Sequence, residues 1–189
     1  MKKYTLYILF ALLSFMAESC GNPEFSNAPC YFVFDNSVAQ NPVLASAMNA
    51  SSPGIFCTVA RSANGAQFVF VSNAGLQQAS NLTAIDKKRT LVLGLNNGLI
   101  LGYGTFPDAM GNMTFYAYDR ECPNCFEPNK IPVKSRPLSL SQDGMATCSV
   151  CHRQYNMNTG GNVVKGDAGK QLTRYHALTT GPYTTVVVN

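Results

Sequence analysis

The sequence contains no tryptophan and little charge, since 13% of its 189 residues are charged and the formal net charge is +4. A nucleic-acid-binding surface needs a dense basic stripe with aromatic residues interleaved. Here the basic residues are spread along the chain, apart from the local group Lys130, Lys134 and Arg136. Nucleic acid is therefore not an expected partner.

Histidine is also scarce, because His152 and His176 are the two copies in the sequence. Neither belongs to a His-x-x-x-His pair or to a nucleophile–base–acid arrangement, and no Gly-rich phosphate loop is present. A hydrolase is therefore not expected, and a role other than enzymatic catalysis is favoured. We expect His152 to lie beside a metal site or on the surface rather than to be a ligand. We expect His176 to be a half-buried strand residue.

A long apolar run that could form a transmembrane helix is missing from the rest of the chain after residue 16. The apolar stretch at residues 6–16 follows Lys2 and Lys3 and ends at the sequence AESC, residues 17–20. A basic start, a short apolar core and a small-residue boundary are typical of a secretory signal peptide. We therefore expect residues 1–19 to be a signal peptide and the chain to be exported.

Two processing routes are open at this boundary. An ordinary signal peptidase would accept the small residues Ala17 and Ser19 and cut before Cys20. Alternatively, the boundary resembles a bacterial lipobox, in which Cys20 becomes the diacylated N-terminal residue, although Ala17 and Glu18 depart from the usual pattern. Lipidation is favoured because it removes one of seven cysteines and leaves no odd exported thiol. Residues 20–29 would then be a lipid-anchored tether in the bacterial cell envelope, in the periplasm or at the cell surface, within reach of other envelope proteins.

The remaining residues, 30–189, predict one mainly β domain, a small antiparallel barrel or sandwich. Short runs rich in aromatic and β-branched residues, bounded by Gly, Asn, Asp or Pro, predict its strands. Residues 38–49 predict a short helix with Pro42 near its start, and residues 96–98, Asn-Asn-Gly, predict a hairpin turn. The predicted strands cover residues 31–34, 55–60, 67–72, 90–95, 99–102, 114–118, 171–177 and 183–188.

Four cysteines form two Cys-x-x-Cys pairs, Cys122 with Cys125 and Cys148 with Cys151, separated by 22 residues. Two intervening residues let a tight turn direct both sulfurs at one point, and two such turns form a tetrahedral thiolate site. The insert between the pairs is rich in Pro and predicts a loop and a hairpin. Disulfides are the usual state of exported cysteines, and redox-active dithiols are a third alternative for these pairs.

The other two cysteines, Cys30 and Cys57, lie in or beside predicted strands. We predict a disulfide between them, which would close a loop of about 27 residues and stabilise the fold by roughly 3 kcal/mol in the chain-entropy model.

The sequence from residue 85 to residue 189 resembles Rieske-type domains. Residues 115–123 (FYAYDRECP) are similar to the strand and first metal loop of that family, and residues 148–152 (CSVCH) with 155–163 (YNMNTGGNV) are similar to the second. Residues 166–168, Leu172 and Tyr175 resemble the following turn and return strand. The resemblance implies a Rieske-like domain with a metal-binding subdomain at about residues 119–166, in which Cys122 and Cys148 are ligands.

The two ligand histidines of the Rieske 2Fe-2S cluster have no counterpart here. Asn124 and Cys151 occupy their positions, and His152 stands one residue too late. We therefore add Cys125 and Cys151 as ligands from the spacing of the pairs, in a subdomain like that of rubredoxins or zinc ribbons. Four thiolates suit zinc, a single iron or a 2Fe-2S cluster, and zinc is favoured because it needs no assembly machinery.

Overall fold

The computed structural model describes residues 24–108 and 110–189. The predicted signal peptide and Cys20 lie outside these residues. The described part is mainly β, with antiparallel pairing in three sheets, which confirms the predicted fold class in its general form. The described strands do not close into a barrel.

The strands are β1 (Phe32–Asp35), β2 (Phe56–Arg61), β3 (Gln67–Ser72), β4 (Gln77–Asn81), β5 (Gly98–Pro107), β6 (Met113–Asp119), β7 (Ser139–Leu140), β8 (Met145–Thr147), β9 (Gln154–Asn156), β10 (Asn162–Lys165), β11 (Arg174–Tyr175), β12 (Ala177–Thr179) and β13 (Thr185–Val188). The helices are α1 (Asn36–Ala39), α2 (Pro42–Ala47) and α3 (Ala84–Lys88).

A six-stranded sheet of order β11-β6-β5-β2-β3-β4 forms the middle of the domain. Because side chains alternate between the two faces of a strand, each face of this sheet buries its own core. On β5, Leu99 and Leu101 enter one core, whereas Ile100 between them enters the other. The sheet therefore joins two packed layers.

The first core lies between this sheet and a three-stranded sheet of order β1-β13-β12. Phe32 and Phe34 on β1 meet Phe68 on β3 edge-to-face, with ring centroids 5.4 and 5.6 Å apart. Such aromatic pairs add about 0.5–1.5 kcal/mol each beyond the area that they bury. The three-stranded sheet joins the first and last strands of the described residues, and so fixes the ends of this part of the chain to its centre.

The second core lies beneath a four-stranded sheet of order β10-β9-β8-β7. Tyr118 on β6 is fully buried there and donates a hydrogen bond from its hydroxyl to the Met157 carbonyl at 2.9 Å. Tyr116 and Tyr118 are thus core residues. Gly104 on β5 permits close contact, since a Cβ there would lie 2.6 Å from the Asn158 carbonyl oxygen.

Three local predictions differ from the structure. Residues 90–95 are not a strand: they contribute a single bridge between Tyr31 and Val92 and then enter a 3₁₀ turn, Gly94–Asn96, with Gly94 at φ 64°. Consequently the Asn-Asn-Gly sequence ends that turn rather than joining two strands. The predicted helix 38–49 is two helices, because Gln40 ends α1 in a left-handed conformation and Pro42 starts α2.

Candidate metal centre

The first cysteine loop, residues 122–125, follows β6 at the end of the six-stranded sheet. The Cys122 carbonyl accepts hydrogen bonds from the backbone amides of Cys125 at 3.1 Å and Phe126 at 2.9 Å. This tight turn brings the side chains of Cys122 and Cys125 to one side of the chain. Its base is held by the Cys122 amide, which donates to the Arg136 carbonyl at 2.9 Å.

The second cysteine loop, residues 148–151, joins β8 to β9 in the four-stranded sheet. Its turn is closed by the His152 amide, which donates to the Cys148 carbonyl at 3.0 Å. The Val150 amide points at the Cys148 sulfur at 3.4 Å. A thiolate at Cys148 would therefore have a backbone donor already in place.

The two loops bring all four cysteine sulfurs within 4.8 Å of one another, although they belong to different sheets. The Sγ atoms of Cys122 and Cys151 are 3.8 Å apart. A metal with four thiolates at about 2.3 Å in tetrahedral array has sulfur–sulfur edges of about 3.8 Å. A disulfide bond of about 2.05 Å would be far shorter. The four predicted metal ligands thus form a group that can hold one ion.

Burial divides the four thiols into two pairs. Cys122 and Cys148 are buried in the second core, whereas Cys125 and Cys151 are half-buried and form its outer edge. The donor set of this group is entirely sulfur, since neither histidine belongs to it. His152 is exposed, as expected for a residue that is not a ligand, while His176 is exposed rather than half-buried.

Burial raises the pKa of Cys122 and Cys125, and the neighbouring thiols add to this effect. Burial also opposes ionisation of Cys151, but hydrogen bonds from the Arg153 amide and guanidinium outweigh it and bring the pKa of Cys151 to about 6. A thiolate at Cys151 would give an incoming cation a first ligand, since metals bind the deprotonated form of cysteine.

The predicted Cys30–Cys57 disulfide is not formed. Both thiols are free, and no cysteine pair in the described residues is joined by a disulfide. Cys57 lies inside β2, between β3 and β5, whereas Cys30 precedes β1 and lies near Gly94 on another layer of the same core. Burial raises the pKa of Cys30 to about 11 and that of Cys57 to about 12, so both are protonated core residues.

Asn124, which the sequence resemblance to Rieske domains aligns with a ligand histidine, has a clear structural role. Its side-chain amide donates to the Tyr155 hydroxyl and to the Lys170 carbonyl, and its oxygen accepts from the Lys170 amide, each at 2.9 Å. The Tyr155 hydroxyl in turn lies 3.3 Å from the Cys122 sulfur. Asn124 therefore connects the first loop to β9 and to the segment before β11, and is not positioned as a ligand.

Asn124→Ala is expected to lower the free energy of unfolding by about 1–2 kcal/mol, because it leaves the buried Tyr155 hydroxyl without a donor and frees the Lys170 backbone. The bound metal per chain is expected to stay unchanged. Chemical unfolding and metal analysis measure the two effects. Asn129→Ala, an exposed asparagine of the insert, is the control. Loss of metal in Asn124→Ala would instead place Asn124 among the ligands.

His152 occupies a left-handed backbone conformation, with φ 57°. Rubredoxin-like loops normally have glycine at the residue after the second cysteine, and glycine adopts this conformation without cost. His152→Gly is therefore expected to change the melting temperature by no more than a few degrees and to retain the metal. A β-branched side chain is disfavoured here, so His152→Val should be less stable than wild type by about 1–2 kcal/mol. Metal loss in His152→Gly would contradict this account.

Two buried acidic residues just before the first loop, Asp119 and Glu121, accept hydrogen bonds from the segments around it. The sequence analysis did not select them. Asp119 is fully buried and accepts from the Leu95 amide at 2.6 Å, the Glu121 amide at 2.8 Å and the Tyr175 hydroxyl at 2.9 Å. Glu121, also buried, accepts from the Asn96 side chain at 2.7 Å, from the Ser135 hydroxyl at 2.6 Å and from the Arg136 amide. In the sequence these two residues belong to the run Asp119-Arg120-Glu121 before Cys122, which does not differ from an ordinary polar strand end.

Comparison with known proteins gives no family for this chain. No protein-family model matches the sequence, and no curated protein matches it. Within residues 24–108 and 110–189, no helix is long and apolar enough to cross a membrane.

Proposed function

We propose that the protein is an exported lipoprotein of the bacterial envelope whose Rieske-like β domain holds one zinc ion in a structural role. The observation that carries this proposal is the convergence of four thiol sulfurs within 4.8 Å. A complete shell of four thiolates has no open position for water or substrate, which is typical of structural rather than catalytic zinc.

The position of the site supports a structural role. The first loop continues β6 of the six-stranded sheet, and the second loop joins two strands of the four-stranded sheet. One ion bound to both loops would hold the two sheets together across the second core. Strands β7 to β10 have two to four residues each, too few for a sheet that is stable by itself. Metal binding would thus contribute directly to folding.

The Rieske-like assignment is supported by the order of elements around the loops. A strand, β6, leads into the first loop, β8 and β9 flank the second, and the short strand β11 returns to β6 through the Tyr175–Ala117 pair. The donor set does not fit the Rieske cluster, which needs two histidines. We therefore propose the family's scaffold with a different, all-cysteine site.

The lipoprotein assignment is supported by the N-terminal sequence, with its basic start, apolar core and Cys20 after Ser19. In the lipidated protein six cysteines remain. Four of them form the site, and Cys30 and Cys57 are buried at 4% and 0% exposure, where disulfide exchange cannot reach them.

A second function, electron transfer by iron at the same site, is favoured by one observation. Cys125 and Cys151 are half-buried, so the centre reaches the protein surface, where a redox partner can approach. The small span of the four sulfurs suits one iron better than a 2Fe-2S cluster. In such a cluster each iron holds two of the four thiolates, which separates the two pairs across the bridging sulfides.

Elemental analysis of the purified domain lacking residues 1–20 tests both functions. Structural zinc predicts one zinc per chain and a colourless protein, whereas iron predicts thiolate-to-iron bands in the visible spectrum. Because overexpressed iron sites often fill with zinc, the protein is also to be produced in iron-supplied, zinc-limited cells. Thiol titration with and without a chelator tests the metal-free dithiol alternative. Four thiols that become reactive only with the chelator support the metal site, and thiols that stay oxidised throughout contradict it.

A further inference from the structure

The segment that precedes the domain packs against it. The Ser26 amide donates to the Arg174 carbonyl at 2.7 Å, and the Phe25 ring stacks on His176 with ring centroids 3.7 Å apart. The Arg174 guanidinium lies between the rings of Phe25 and Tyr116, 4.7 and 4.6 Å from their centroids, and forms an ion pair with Glu24. Residues 24–26 of the predicted tether are therefore held in one place on the domain.

These contacts also give the segment a direction. β11 runs antiparallel to β6, with Arg174 opposite Tyr118 and Tyr175 opposite Ala117. His176 comes next, and so lies towards the start of β6. Since Ser26 contacts Arg174 and Phe25 contacts His176, the chain heads for the start of β6 as it is followed back towards its N-terminus. It thus approaches the turn between β5 and β6 and moves away from the cysteine loops.

The reach of the chain limits where a lipid on Cys20 can lie. Three residues, 21–23, lie between Cys20 and Glu24, and the four chain steps from Cys20 to Glu24 span at most about 14 Å when fully extended. β6 has seven residues and is therefore about 20 Å long. The cysteine loop and the β5–β6 turn lie at opposite ends of this strand. The direction of the segment, together with its short reach, favours a position of the bilayer at the β5–β6 end.

The β5–β6 end carries exposed apolar side chains. Met110 is 87% exposed and Phe106 60% exposed beside the turn, and Leu178 on β12 is 67% exposed. Leu178 lines a cavity of about 390 Å³ together with Phe25 and Asp108, which shows that the docked segment and the turn share one side of the domain. We name Phe106, Met110 and Leu178 the apolar end.

The excess of basic residues lies in the other part of the domain, the part that contains the cysteine loops. Residues 24–119 and 171–189 contain as many acidic as basic residues, whereas residues 120–170, which include both cysteine loops, contain seven basic and four acidic ones. The apolar end has Glu24 and Asp108 nearby and would gain nothing from anionic lipids. Its contact with a bilayer would be hydrophobic and close to independent of salt.

We infer that the apolar end lies in the headgroup region of the membrane that holds the lipid on Cys20, and that the metal centre faces the aqueous phase. This inference rests on the proposed lipidation. A diacylated Cys20 carries two acyl chains, which suffice for stable anchoring. The contact of the apolar end would therefore orient the domain, and would hold the cysteine loops away from the bilayer, where a soluble partner can reach them.

The absence of tryptophan allows a direct test. Met110→Trp places a single tryptophan at the apolar end, and Ile131→Trp places one in the insert after the first cysteine loop, where Ile131 is fully exposed. Each full-length variant is isolated from membranes and reconstituted into phosphatidylcholine vesicles with and without doxyl-labelled acyl chains. Met110→Trp is expected to show blue-shifted emission and several-fold stronger quenching by the doxyl lipid than Ile131→Trp. Phe106→Trp is the second variant for the apolar end and should behave like Met110→Trp.

The mass of the N-terminal peptide, measured on the same preparations, reports separately on lipidation. An acylated Cys20 with stronger lipid quenching at residue 131, or with equally weak quenching at both positions, overturns the inference and leaves the lipoprotein proposal intact. A Cys20 without acyl chains refutes the lipoprotein proposal, and the inference with it.

Discussion

Cys151→Ser is expected to abolish stoichiometric metal binding and to lower the free energy of unfolding by about 5 kcal/mol or more, since structural zinc sites contribute on the order of 10 kcal/mol. For a chain of this length such a loss corresponds to a fall in melting temperature of about 10–20 °C. Cys151 is half-buried at the outer edge of the second core, so a serine hydroxyl at this position can reach water and is itself tolerated. The loss should therefore come from the metal.

Thermal unfolding with and without a chelator separates these effects. The wild-type melting temperature should fall on chelation to nearly the value of Cys151→Ser, and the variant should not respond. Cys125→Ser should behave in the same way. Cys30→Ala is the matched control, because Cys30 is a buried cysteine outside the cluster, and its melting temperature should still fall on chelation. Full metal content in Cys151→Ser or Cys125→Ser would remove that residue from the ligand set.

Asp119→Ala is expected to lower the free energy of unfolding by about 3–5 kcal/mol. The substitution leaves three buried donors, the Leu95 and Glu121 amides and the Tyr175 hydroxyl, without an acceptor, and each such loss costs about 1–3 kcal/mol. Asp143→Ala, an exposed carboxylate in a turn, is the control and should change stability by less than about 0.5 kcal/mol. Chemical unfolding curves give both values, and a comparable small loss in the two variants would refute this role of Asp119.

The pH dependence of Asp119 has a defined sign. Burial raises the pKa of this carboxyl in the folded state, although the Leu95 and Glu121 amides and the Tyr175 hydroxyl oppose the shift. The pH-dependent part of this group's contribution to stability is thus complete below its unfolded pKa of about 3.9 and is lost as the pH rises through the folded pKa. The stability advantage of wild type over Asp119→Asn should therefore shrink as the pH is raised from about 4. An advantage that grows as the pH is raised would contradict the raised pKa.

Strands β1, β2, β3, β5, β6 and β13 could be predicted because each is an apolar run bounded by turn-forming residues, whereas the short strands β7 to β10 were missed. β3 matches its predicted residues, 67–72, since buried and half-buried positions alternate along it. β4 was missed because its sequence, QQASN, is polar, as is common for the edge strand of a sheet. The strand predicted at residues 90–95 is wrong for the opposite reason. These residues are apolar, but Gly94 has a left-handed backbone conformation, which ends an extended run. A Cβ at Gly94 would lie 2.3 Å from the Asp119 carboxylate, a contact that no local pattern reveals.

The cysteine cluster could be predicted from spacing alone, because the turn geometry of Cys-x-x-Cys is local. The hydrogen bonds that hold the cysteine loops in place could not be predicted. Asn124 contacts Tyr155 and Lys170, which are 31 and 46 residues away in the sequence, and such pairs depend on how the two sheets pack. The same applies to Cys30 and Cys57, whose placement beside neighbouring strands suggested a disulfide that the layered core does not form.

X-ray absorption at the metal edge of the purified domain lacking residues 1–20 tests the central claim most directly. Four sulfur neighbours at about 2.3 Å, with no nitrogen shell and no second metal, are the predicted result. A shell with two or fewer sulfurs, or a metal–metal distance, would contradict a single ion held by Cys122, Cys125, Cys148 and Cys151.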